Sequence, residues 1–205
     1  MKSTVYPLFA YPVVACAPLY RFSDDERAFI DGLEMIDNLG NRMSKNDRIL
    51  ESDELASLRA YIDDQIGHYK KGLLRLKDDN EIYITQSWAN KAASSQFHQK
   101  HKHPNSVISG VMYVGDGIDE TLPPIRFHRT LEMFPLEFSY EELNEFNATC
   151  RTFQPVDGML MLFPSLLEHD VEQNASEHER TSLSFNTYVR GKVGGARQLT
   201  EIDLS

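Results

Sequence analysis

Hydrophobic and polar positions change their period once along this chain. Ser23-Asp24-Asp25-Glu26 has the form of an N-cap followed by acidic residues, and Phe29, Ile30, Leu33 and Ile36 recur behind it at helical spacing. This predicts a helix from Asp24 to about Leu39-Gly40. After a polar turn and Ser52-Asp53-Glu54, the positions Leu55, Leu58, Ile62, Ile66, Tyr69, Leu73 and Leu74 form a second helical stripe over 53–74. Such stripes pack on a sheet, cover the mouth of a barrel or make a dimer contact.

From residue 81 the alternation is that of strands. Glu81–Trp88, Val107–Val114, Ile125–Phe127, Arg151–Val156, Met159–Phe163, His169–Val171 and Ser182–Val189 are short β-rich runs separated by Gly, Pro, Asn and Asp. With one short helical insertion expected at Glu141–Phe146, they predict a sandwich or jelly roll. Upstream, Val5–Tyr20 is apolar but broken by Pro7, Pro12 and Pro18, so it reads as an edge strand and turn rather than a signal peptide. The expected architecture is mainly β with N-terminal helices. It is a single domain with a helical support layer (1–80) packed on one sheet, a jelly-roll core (81–190) and a C-terminal tail (191–205).

Composition narrows the function. The chain has 205 residues, enough for one ordinary domain with a sizeable core. Its 21 Lys and Arg against 31 Asp and Glu leave a formal charge of −10, which disfavours nucleic acid and anionic membrane surfaces as partners. No run approaches the roughly 18 apolar residues of a spanning helix. Two cysteines, Cys16 and Cys150, are too few for a disulfide framework and point to a reducing compartment, the cytoplasm.

The chemistry is concentrated in histidine. Six of the seven histidines follow residue 97, and three lie in Gln96-Phe97-His98-Gln99-Lys100-His101-Lys102-His103-Pro104-Asn105-Ser106. Residues i and i+2 of a strand share a face, so His101 and His103 can point together as half of a metal site. Pro104 favours an extended His103, in support of that pairing. Taken alone, the segment reads equally as a solvated basic loop. His98, at odd separation from both, is expected on the opposite face and outside the site. His169, after the Phe163-Pro164-Ser165 turn, supplies a further imidazole. Eleven residues on, Arg180-Thr181-Ser182 places a guanidinium and a hydroxyl on one strand face, a receptor for a carboxylate. A surface ion pair of Arg180 with Glu177 or Glu179 is the competing reading.

The run from His101 to Val114, with Phe163-Pro164-Ser165-Leu166-Leu167-Glu168-His169 and Arg180-Thr181-Ser182-Leu183-Ser184-Phe185-Asn186, resembles the 2-oxoglutarate/iron(II)-dependent oxygenase family found in marine bacteria and cyanophages. The resemblance extends from about Trp88-Ala89-Asn90 to Tyr188. It implies a double-stranded β-helix, iron(II) held by His101, His103 or a neighbour, and His169, and 2-oxoglutarate held by Arg180 and Ser182. Tyr113 is then a second donor to the cosubstrate or a core tyrosine, and Asn186 a cosubstrate or supporting group. Most 2-oxoglutarate oxygenases carry His-x-Asp or His-x-Glu where this chain has His101-Lys102-His103. The third ligand is therefore expected to be His103, with Asp116 or Asp170 as carboxylate alternatives. The implied activity is hydroxylation of a small-molecule or peptide substrate with release of succinate and carbon dioxide, in the host cytoplasm if phage-encoded and with a homodimer open. A three-histidine cupin-like dioxygenase or isomerase independent of 2-oxoglutarate and a metal-free β-sandwich binding module are the alternatives. The segments 115–124 and 127–147 are candidate substrate loops.

Overall fold

The computed structural model describes residues 3–115, 118, 121–130 and 135–204. In chain order the elements are β1 (Val14–Ala15), α1 (Asp24–Asp31), β2 (Met35–Asp37), β3 (Arg42–Ser44), two short 3-10 turns, α2 (Ala56–His68) with a π-helical turn Tyr69–Leu74, and β4 (Glu81–Ala92). There follow β5 (His98–His101), β6 (Ile108–Val114), β7 (Ile125–His128), β8 (Cys150–Phe153), β9 (Leu160–Pro164), β10 (His169–Val171), β11 (Arg180–Arg190), β12 (Lys192–Val193) and β13 (Ile202–Asp203). A seven-stranded sheet of order β1-β9-β6-β11-β4-β3-β2 faces a four-stranded sheet of order β5-β10-β7-β8. Neighbouring strands in both sheets pair antiparallel, as the jelly-roll expectation requires.

Two apolar layers fix this arrangement. Ile30 of α1 and Leu58, Ile62 and Ile66 of α2 pack with Leu55 and Tyr69 against Ile84, Ile108, Met112, Leu160, Leu162, Leu183 and Phe185 on the outer face of the large sheet. The helical stripe is thus consumed by the sheet, rather than covering the pocket mouth. Between the sheets lie Val111, Tyr113, Ile125, Phe127, Met161, Phe163 and Val171. Neighbouring residues of β9 enter opposite layers, Leu160 and Leu162 on one side and Met161 and Phe163 on the other, which is why its sequence is continuously apolar. Gly110 of β6 leaves room for the Phe185 ring, which any Cβ at that position would strike.

Several elements depart from the sequence expectations. The first helix carries the expected capping box between Ser23 and Glu26 but stops at Gly32. Met35–Asp37 forms a strand instead, because Asn38-Leu39-Gly40-Asn41 is a hairpin turn: Asn38 Oδ1 accepts the Leu39 N–H, and Gly40 has φ +86°. No helix forms at Glu141–Phe146. There the Asn144 carboxamide oxygen accepts the backbone N–H groups of Phe146 and Asn147, a local bond that competes with helical pairing. Strand β4 continues past Trp88 to Ala92, and β11 starts at Arg180 rather than Ser182. Val5–Tyr20 contributes an edge strand of only two residues, paired with β9. Among the described residues no helix is long and apolar enough to cross a membrane.

Candidate active site

The histidines meet where the small sheet ends. Strand β5 pairs with β10 so that His101 lies opposite His169 and His98 opposite Val171. Three residues on β5 therefore span two on β10, a bulge that changes which side chains share a face. The His101 and His169 rings come to 4.3 Å between centroids. His103 follows two residues beyond the end of β5, where its backbone N–H donates to the Ser165 carbonyl at 2.8 Å. That turn brings His103 Nε2 to 3.3 Å from His169 Nε2. One ring nitrogen from each of His101, His103 and His169 lies within 4.8 Å of the others.

The two outer histidines are oriented by the backbone. His101 Nδ1 lies 2.8 Å from the Gln99 carbonyl and His169 Nδ1 lies 2.9 Å from the Leu167 carbonyl. A carbonyl only accepts, so each Nδ1 carries the hydrogen and each Nε2 keeps its lone pair, the tautomer a metal ligand needs. Burial, reinforced by positive neighbours, lowers His103 to about 4 and His169 to about 3, so both imidazoles are neutral at physiological pH. The ring of His169 is also wedged between Phe127 and Phe163.

Among the described residues no carboxylate joins this cluster. Asp170 alternates with His169 along β10 and bonds Arg126 through Nε at 2.7 Å and Nη2 at 2.8 Å, with His128 Nε2 at 3.1 Å. Burial would raise the Asp170 carboxyl, but the Arg126 hydrogen bonds and the neighbouring positive groups hold it below its ordinary value. Asp116, the other alternative, lies outside the described residues, as does part of the 115–124 segment.

His98 is inside the site, contrary to the odd-spacing expectation. Its ring stacks on His101 at 4.5 Å and 9°, and it lines the same pocket as the other three histidines. The bulge is the physical reason, since period-2 alternation holds only where pairing is regular. Burial first, then the charges of His101, His169 and Arg180, push His98 down to about 3.

Across the pocket stands Arg180, only 5% exposed. It forms no ion pair among the described residues; Glu179 is taken by Arg42 at 2.6 Å, which removes the surface-pair reading. Arg180 Nε is buried without a hydrogen-bond partner, and the guanidinium carbon sits 5.1 Å from the Tyr113 ring centroid. Burial lowers its proton affinity. Tyr113 lies behind Arg180 in the layer between the sheets rather than on the pocket wall, and its fully buried hydroxyl makes no hydrogen bond of good geometry. Ser182, 2% exposed, lines the pocket two residues along β11. Asn186 shares the face but lies four residues, or about 13 Å, further on. There its Oδ1 accepts from Ser109 at 2.9 Å, away from the pocket lining.

Trp88, Asn90 and Ser184 also line the pocket and were not singled out from the sequence. They lie on the face of β4 and β11 that carries Ser182, and extending the alternation of β4 beyond Trp88 exposes that relation. A wider groove beside α1 is lined by Tyr20, Glu26, Phe29 and Ser57. It holds no comparable cluster, and Tyr20 and Glu26 are bonded to each other.

The donor set fits a divalent metal and a dicarboxylate. Three imidazoles converge on one point, and a buried arginine with unused donor capacity faces them with no anion among the described residues.

Known proteins agree with this arrangement. Residues 86–186 match the family model described as "Putative 2OG-Fe(II) oxygenase". No curated protein matches the sequence. Among solved structures, a Pseudomonas putida prolyl-4-hydroxylase shares the fold at 16% identity and a TM-score of 0.60, over 90% of this chain and 96% of that one. HygX from Streptomyces hygroscopicus, solved with nickel, 2-oxoglutarate and hygromycin B bound, is 11% identical with a TM-score of 0.59, over 87% of this chain and 82% of that one. An oxidoreductase of the 2OG-Fe(II) oxygenase family from Burkholderia pseudomallei is 14% identical with a TM-score of 0.55, over 79% and 75%. The matched segment, just under half of the chain, contains all four pocket histidines, Arg180 and Ser182, so the part of the chain that builds the site is similar to the 2OG-Fe(II) oxygenase family, whose members depend on iron(II) and 2-oxoglutarate.

Proposed function

We propose that this protein is a hydroxylase in which His101, His103 and His169 hold iron(II), and Arg180 with Ser182 holds the distal carboxylate of 2-oxoglutarate. The observation that carries the reading is the pairing of three convergent imidazoles with a buried arginine that has no anionic partner among the described residues. His101, His103 and His169 would hold iron(II) from one side, leaving the Arg180 side of the pocket to the 2-oxo acid. When bound, the iron supplies the oxidative chemistry: substrate C–H, dioxygen and 2-oxoglutarate give substrate C–OH, succinate and carbon dioxide.

The protein's own residues position and insulate that reaction. The carbonyls of Gln99 and Leu167 fix the His101 and His169 tautomers. Phe127 and Phe163 pack against His169 and keep water from it. Arg180 sets the register of the cosubstrate by gripping the end remote from the metal, and the Tyr113 ring backs the guanidinium. Asn186 supports the sheet through Ser109 rather than touching ligand. A cupin-like dioxygenase that does not use 2-oxoglutarate has no need of Arg180. The whole chain, its helical layer included, acts as one domain, and the substrate is a small molecule or peptide reaching the iron from the His98 and Trp88 side of the pocket.

The experiment is 2-oxoglutarate consumption by iron(II)-loaded protein, with succinate measured as product and a metabolite and peptide library as substrates. Iron-dependent succinate formation that Arg180→Ala abolishes supports the reading. Iron binding without any 2-oxoglutarate turnover contradicts it.

A further inference from the structure

A row of side chains crosses the large sheet beside Arg180. In the ladder register, Ser182 of β11 is the direct partner of Tyr113 on β6 and of Asn90 on β4. Directly paired residues present their side chains to the same face of a sheet, so the three lie in line across adjacent strands. Asn90 is 4% exposed and lines the pocket. Its Nδ2 donates to Ser184 Oγ at 3.1 Å, and its Oδ1 is buried with no hydrogen-bond partner. A buried carboxamide oxygen left unpaired is costly, and such atoms are rare in folded proteins.

We propose that Asn90 is a positioning residue for 2-oxoglutarate, turning its amide when the cosubstrate binds so that the NH2 group donates to the distal carboxylate beside Ser182. The inference rests on the reading of Arg180 and Ser182 as the carboxylate receptor. Its chemistry follows from the donor inventory. A carboxylate only accepts, so it is served by an NH2 and opposed by a carbonyl oxygen. The terminal amide torsion is broad and two-fold, and the Ser184 hydroxyl works in either sense. With the amide turned over, Ser184 Oγ–H donates to Asn90 Oδ1, the orphaned oxygen gains a partner, and Nδ2 faces the ligand. Each group then has its bond, at the expense of none.

The test is anaerobic calorimetric titration of the full-length, iron(II)-loaded protein with 2-oxoglutarate and, separately, with 2-oxopentanoate, which lacks the distal carboxylate. For Asn90→Ala the expected result is a Kd for 2-oxoglutarate roughly 10- to 100-fold higher, the range of a lost hydrogen bond to a charged group. Asn90→Asp, which sets a like charge against the ligand, weakens binding further. Affinities for 2-oxopentanoate and for iron(II) stay unchanged in both. Asn90→Ser retains a donor and loses less, and Asn90→Asp serves if the alanine variant does not fold. A 2-oxoglutarate Kd within twofold of the parent protein in Asn90→Ala or Asn90→Asp, while Arg180→Ala loses binding, overturns the role of Asn90 and leaves the receptor standing. Equal loss of 2-oxoglutarate and 2-oxopentanoate also overturns it, marking Asn90 as structural. If Arg180→Ala binds 2-oxoglutarate normally, the receptor reading itself fails, and this inference with it.

Discussion

At the histidine end of the pocket, His101 and His169 arrive with Nδ1 already bonded to the carbonyls of Gln99 and Leu167. At the Arg180 end, the guanidinium Nε, the Tyr113 hydroxyl and the Asn90 carbonyl oxygen are buried without partners. At the first end both Nδ1 atoms are satisfied before any ligand binds. The second holds a cation out of water with nothing among the described residues to neutralise it. Both are ways of preparing a site, but they distribute the cost differently: preorganised imidazoles cost the fold little, whereas an uncompensated buried charge destabilises it until an anion arrives.

Replacing His169 breaks the metal end most completely. His169→Ala is expected to lose stoichiometric iron(II), read by metal analysis after desalting, while circular dichroism shows the β fold intact. Arg180→Ala breaks the opposite end: iron is retained, and 2-oxoglutarate affinity falls by about 2–5 kcal/mol, or roughly 30- to several-thousand-fold. The comparison becomes sharper with Arg180→Met. Removing the uncompensated cation while keeping apolar volume raises the Tm of the metal-free, cosubstrate-free protein, whereas His169→Ala does not. A lower Tm for Arg180→Met would place the strain elsewhere.

A smaller effect is expected from His98. It stacks on His101 without belonging to the three-nitrogen cluster, so His98→Ala leaves iron stoichiometry intact and weakens affinity by roughly tenfold, the scale of an outer partner that orients a ligand. Competition with a chelator of known affinity measures it. Mild acid acts on the metal-free protein through three of these histidines at once. His98, His103 and His169 lie at about 3, 4 and 3 when folded, against roughly 6.5 for a free imidazole. Between pH 6.5 and about 4 the unfolded chain takes up protons that the folded one refuses, so stability falls as pH drops through that window. Urea unfolding at pH 7 and pH 5 measures the slope.

The same contrast explains how much of the molecule could be read from its sequence. Strand β11 is regular from Arg180 to Asn186, so alternation alone put Arg180 and Ser182 on one face, and the structure keeps them there. Around β5 the ladder is bulged, and no period reveals a bulge, so spacing alone puts His98 on the wrong side, while His103 reaches the cluster by a turn rather than as a strand neighbour. The helical stripe of α2 and the apolar runs of β6 and β9 were legible because burial imposes them residue by residue. The end of α1 was not, since Leu39-Gly40 serves a hairpin turn as well as it ends a helix. Asn90 escaped notice for a different reason: its neighbours Ser182 and Ser184 are 92 and 94 positions away, and only strand order and register bring them together.

The claim on which the account rests is that His103 takes the place of a carboxylate at the iron. An anaerobic crystal structure of the iron(II) and 2-oxoglutarate complex tests it directly. The account predicts Nε2 of His101, His103 and His169 each at about 2.0–2.3 Å from the metal, with the distal carboxylate of 2-oxoglutarate on Arg180. His103 Nε2 more than about 3 Å from iron, or a carboxylate in its place, contradicts it.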